Sequence, residues 1–164
     1  SHPLHPATVH FPITLLFLSY ALDITQQFPF LTTFPIVGPF LRDINPPKTS
    51  YYLLSVGLLS AIPATLTGGM ELFYMMQRQD LFNKLLYMAL IHAAVNDFCI
   101  MGSAYSLWTR RSTKGYEPDV GLVIMSALFG FFMMGAASLG GQLVFDHGVG
   151  VVAMNRRNRD EKEK

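Results

Sequence analysis

Four of the five histidines of this 164-residue chain fall in two short motifs, one near each end. The first reads His2-Pro3-Leu4-His5-Pro6 and runs on into Val9-His10-Phe11-Pro12-Ile13. The second runs from Gly140 to Val151 around Asp146-His147-Gly148. The fifth histidine, His92, stands in an apolar stretch, with Asn96 four residues on and so on the same helix face. Imidazole is a good ligand for iron, and bundle cores hold cofactors between facing helices. His10, His92 and His147 are therefore candidate ligands for haem b. The same residues also suit a mechanical role, in which an imidazole donates to an exposed carbonyl at a neighbouring helix end. Asp146 can orient a histidine, and Glu71 can pair with His92 or Asn96. On that reading His5, His10, Glu71, His92, Asn96, Asp146 and His147 form a polar cluster that orders helix ends.

The elements that must position these residues are apolar. Hydrophobic residues make up 51% of the chain and charged residues only 14%, against about 25% charged in soluble domains. A membrane-spanning helix needs roughly 20 predominantly apolar residues. Four regions approach that length, at about 7–26, 51–76, 81–108 and 119–145, with Leu122-Val123-Ile124-Met125 and Phe129 to Met134 the cleanest. Their polar residues are isolated rather than arranged in the stripe of a soluble amphipathic helix. The expected fold is all-α and integral to the membrane: one domain, four transmembrane helices in an up-down bundle, both termini on one side. Net charge is +1 without a basic patch, which argues against nucleic acid as a partner. A single cysteine, Cys99, excludes a disulfide framework or thiolate cluster within the chain. No basic leader or Arg-rich amphipathic segment precedes the first span.

Prolines and caps set the expected boundaries. Pro6 suits a first helical turn, Pro12 kinks the first span, and Asp23 with Gln26-Gln27 marks its exit. Pro29, Pro35, Pro39, Pro46 and Pro47 forbid a long helix across 28–48 and favour extended or turn structure. Phe28, Phe30, Phe34 and Phe40 place that loop along the membrane interface or against a partner. Thr49 or Ser50 is expected to cap the second span and Asp80 the third, with Pro118 in the first turn of the fourth. Pro63 predicts a kink inside the second span. Tyr105 and Trp108 suit an interfacial belt. Gly148 and Gly150 offer the left-handed backbone that ends a helix. The tail, 155–164, reads as charged and solvated. A slight excess of basic residues on the side of the termini favours that side facing cytosol or matrix.

Threading four spans puts a polar group from every helix into the half of the bundle nearest the termini. His92 then lies roughly 10–16 Å deep at the α-helical rise per residue, whereas His10 and His147 sit near the interface. That mismatch favours helix-end ordering over haem. A transporter-like use of Glu71 and Asp97 is a further reading, but the sequence shows no internal repeat of the kind many transporters carry. Small residues at Gly130, Gly135, Ala136, Ala137, Gly140 and Gly141 fit the fourth span for close helix contact.

At His5-Pro6, Val9 to Ile13 and Gly140 to Val151 the chain resembles the bacterial membrane family called domain of unknown function 2231, as it does at His92 and Asn96. The resemblance spans nearly the whole chain. With its proline- and phenylalanine-rich loop, the chain is similar to a fungal mitochondrial form of that family, a four-span accessory subunit of respiratory complex I. That resemblance implies a non-catalytic subunit of the inner-membrane arm, contacting other membrane subunits of the complex and lipids. In keeping with it, the chain has no Gly-rich dinucleotide fingerprint.

Overall fold

Runs of Leu, Ile, Val, Phe and Ala leave the backbone only itself to bond with inside hydrocarbon, and a helix satisfies every such group within one segment. The computed structural model, which describes residues 4–78 and 83–149, is built on that solution. Its helices are α1 (Leu4–Thr8), α2 (His10–Thr25), α3 (Val37–Asp43), α4 (Pro46–Arg78), α5 (Lys84–Arg110) and α6 (Val120–Phe145). Short 3-10 turns cover Pro29–Thr33 and Lys114–Tyr116, and no strand occurs among the described residues. Four helices are long and apolar enough to cross a membrane, so the all-α, four-span architecture holds. His2, Asp80, Gly150 and the tail lie outside the described residues.

Local chemistry explains the boundaries. Pro12 has no N–H to offer the carbonyl of Thr8, and the chain breaks at Val9 between α1 and α2. The hydrogen bonds Val9 N–His5 O (3.2 Å) and Ile13 N–Val9 O (3.1 Å) carry it across, so α1 and α2 act as one span. The segment 28–48 is more helical than its prolines suggest, because the 3-10 turn opens on Pro29 and α3 carries Pro39 in its first turn, where no backbone donor is needed. The second span begins at Pro46 rather than near Tyr51: adjacent prolines are tolerated in a first turn, where no backbone donor is needed. Its start is closed by Asn45, whose side chain accepts from Lys48 N at 3.1 Å, in place of Thr49 or Ser50. Asn83 caps α5 through Leu85 N, and Asp119 caps α6 through Leu122 N, with Pro118 just before that cap. Gly148, at φ +65°, ends the fourth span as expected: its N–H donates to Val144 O and that of Val149 to Leu143 O.

The four spans pack in a ring, α2 on α4, α4 on α5, α5 on α6 and α6 back on α2. Leu16, Tyr20, Leu54, Cys99, Phe129 and Met133 form the core at its centre. The rest of the chain buries only 17% of the apolar window of α5 but 39% of that of α6, so most helix surface faces lipid or other proteins.

The ring is made of two like hairpins, α1–α2 with α4 and α5 with α6, a repeat that the sequence alone does not reveal. Asp23 and Arg110 are 87 residues apart, and the same interval separates Ser19 from Ser106 and His5 from His92. In both hairpins the imidazole of the first helix bonds an alanine carbonyl of the second and lies over a glycine four residues further on. Where Leu15 and Leu16 press on Gly57 in the first hairpin, Phe129 presses on Gly102 in the second. The contact is kept and the sizes are exchanged.

Candidate functional site

The polar residues gather at two levels of the bundle. Near the chain termini lies the expected histidine cluster, in a different form. His5 Nδ1 is 3.0 Å from Ala64 O, and Thr67 Oγ1 is 3.4 Å from the same nitrogen. His92 Nδ1 is 2.8 Å from Ala136 O. A carbonyl only accepts, so each Nδ1 carries the proton and each Nε2 keeps its lone pair. Asn96 fills that role for His92, donating to its Nε2 at 3.4 Å and to its carbonyl at 2.7 Å. Glycine makes the fit possible: a Cβ at Gly68 would stand 2.6 Å from the His5 ring, and one at Gly140 would stand 2.8 Å from that of His92.

Other members of the expected cluster are not drawn in. His10, Asp146 and His147 are exposed, and Asp97 lies exposed on the outside of α5. Glu71 is half-buried on the α4 face that carries Thr67 and Gly68, and it has no hydrogen bond to His92 or Asn96 among the described residues. The structure brings His92 together with Asn96, sets His5 on the α4 carbonyl of Ala64, and leaves His10 and His147 exposed. Among the described residues no group of three or more His, Cys, Asp or Glu side chains could hold a metal ion.

At the opposite end lies a second cluster, which the sequence reading passed over because Asp23 and Arg110 look like ordinary helix-end charges. They are 1% and 0% exposed, and Arg110 Nη1 lies 3.1 Å from Asp23 Oδ1. Ser50 from α4 donates to Asp23 Oδ1, and Ser126 from α6 donates to Oδ2 at 2.8 Å. All four spans therefore meet on one carboxylate. Arg110 also donates to Ser50 Oγ, to Pro47 O at 2.9 Å and, through Nε, to Tyr116 O at 2.8 Å. That last carbonyl is aimed by two left-handed residues, Gly115 (φ +70°) and Tyr116 (φ +59°). Positive φ at a tyrosine is strained. Stacking on Tyr51, with centroids 4.1 Å apart, holds it there, while Arg110 lies 5.9 Å over the Tyr51 ring. Ser19 donates to Ser50 O at 2.9 Å and Tyr20 bonds Ser103 at 2.6 Å, but Ser106 Oγ is buried without a partner among the described residues. The repeat would have exposed this cluster in the sequence, since Asp23 and Arg110 share the interval of His5 and His92.

Both clusters tie helices together through hydrogen bonds between them. The model of a family described as predicted membrane protein, DUF2231, matches residues 1–153. No curated protein matches the chain, and no solved structure does.

Proposed function

This chain belongs to the DUF2231 family of predicted membrane proteins, and from that premise we propose that it is a non-catalytic accessory subunit of a respiratory complex in the mitochondrial inner membrane. The assembly whose accessory subunit it resembles is complex I, and its role there is to brace the membrane arm through contacts with neighbouring subunits and lipid. One observation carries the reading: the interior polar groups bond one another around a packed apolar core, while most helix surface is turned outward. The proline- and phenylalanine-rich segment supports it. Phe28, Phe30 and Phe34 form an exposed ladder of edge-to-face and tilted rings, with centroids 5.9 and 6.0 Å apart, suited to the membrane interface or another chain. Extraction in mild detergent, a native gel and mass spectrometry test the proposal. The chain is expected to migrate with a large respiratory assembly, and migration as a free protein would overturn it.

A second reading, a haem b carrier, has one observation in its favour: the His92 Nδ1–H is anchored on a carbonyl, as ligand histidines commonly are. Weighing against His10, His92 and His147 as one ligand set, the first and last are exposed while His92 is half-buried. An absorption spectrum of the gently purified chain decides it, a Soret band lost in His92→Ala supporting haem and a spectrum without one excluding it.

A further inference from the structure

Asp97 is the residue that the bundle's own chemistry leaves unexplained. It lies thirteen residues from each end of α5, about 20 Å along the helix either way, and therefore near the middle of the hydrocarbon. Its side chain is exposed and makes no hydrogen bond or ion pair among the described residues. The interior face of α5 runs through His92, Asn96, Cys99, Ser103, Ser106 and Arg110, and Asp97 is on the other side. A carboxylate facing lipid at that depth costs about 2.5–3.5 kcal/mol by insertion scales, and such residues normally face a partner group. A side chain this short cannot reach the headgroups from mid-span.

The surface around it has the form of a helix contact. Ala94 and Ala104 flank Asp97 on the outward face and allow a second backbone to approach, and Leu90, Met101 and Trp108 extend the apolar strip to the interface. A second copy of this chain offers no complement, because no Lys or Arg lies in the middle of any described span and His92 is turned into its own bundle, bonded to Ala136 O and Asn96. We infer that the Asp97 face of α5 docks a transmembrane helix of another protein, which presents a lysine, arginine or histidine at mid-membrane depth to pair with the carboxylate. The inference rests on the accessory-subunit reading and names the chemistry by which such a subunit would be held.

The test is a photo-crosslinking amino acid at Met101, one helical turn from Asp97, in the full chain within native membranes. A control probe replaces Phe131, on the outward face of α6. The Met101 probe is expected to trap a peptide from a membrane span of another protein that contains a basic residue near its middle. Asp97→Leu and Asp97→Lys should each lower that adduct about tenfold, and changing the partner's base to aspartate should restore it for Asp97→Lys. Asp97→Leu should itself accumulate normally, because it removes a charge and leaves every described contact in place. Adducts to lipid alone, to a second copy of this chain, or to a helix without a basic residue would overturn the inference. If the chain migrates with the respiratory assembly while the probe traps only lipid, the docking inference fails and the subunit reading stands. If the trapped basic helix belongs to a protein outside that assembly, the subunit reading fails and the docking inference stands.

Discussion

The two ends of the bundle solve one structural problem with different chemistry. At each end corresponding positions of the two hairpins carry polar side chains that bond within the bundle. At one end those positions are Asp23 and Arg110, opposite charges that bind each other and gather Ser50 and Ser126, so that all four spans share one knot. At the other they are His5 and His92, like groups with nothing to exchange. Each turns instead to an alanine carbonyl of its own hairpin. One end is tied across the bundle and the other only within each half. The knotted end should therefore resist opening more strongly than the histidine end, where the halves are joined by packing.

The largest effect expected from breaking this contrast is at the knot. Removing one partner of a buried ion pair strands the other, typically at about 3–5 kcal/mol, so Asp23→Ala or Arg110→Ala should sharply lower the thermal midpoint of the detergent-solubilised chain. Overpacking a seam comes next. A Cβ at Gly102 would stand 2.1 Å from the Phe129 ring, so Gly102→Ala should cost about 1–3 kcal/mol and recover when combined with Phe129→Leu. Gly69, Gly135 and Gly141 face open space, and alanine there should leave the midpoint unchanged or raised. At the histidine end, His5→Ala and His92→Ala should each cost about 1–3 kcal/mol for a lost buried bond, less than either knot variant. If they cost more, the ranking of the two ends is reversed. The smallest effect separates corresponding serines: Ser19→Ala loses a bond to Ser50 and should destabilise by about 1 kcal/mol, whereas Ser106→Ala removes an unpartnered hydroxyl and should be neutral or stabilising.

These regions were not equally legible in the sequence. The four spans are plain because long apolar runs such as Leu122 to Met125 have one stable form in lipid. The start of α4 is not, because Pro46-Pro47 reads as a breaker unless its first-turn tolerance is applied. His92 with Asn96 stands out as polar residues on one face of an apolar helix. His5 is legible as part of the opening motif and the expected polar cluster, but nothing in the motif ranks it above His10, which the structure leaves exposed. Asp23 and Arg110 read as helix-end charges because each is followed within a few residues by polar loop. Their partnership becomes visible only through the shared interval, and unlike residues at corresponding positions, such as Leu16 and Ser103, conceal that interval. The accessory-subunit role draws on resemblance and on the outward surface, not on a catalytic pattern in the chain.

The central claim is that the Asp23–Arg110 knot holds two like hairpins together across the bundle. Exchange of the charges tests it most directly, by thermal unfolding of Asp23→Arg, Arg110→Asp and the double exchange in the same detergent. Because the two positions correspond across the bundle, each single variant should be strongly destabilised and the double exchange should regain most of the loss. A double exchange as unstable as the two single losses combined, or single variants with unchanged midpoints, would contradict the account.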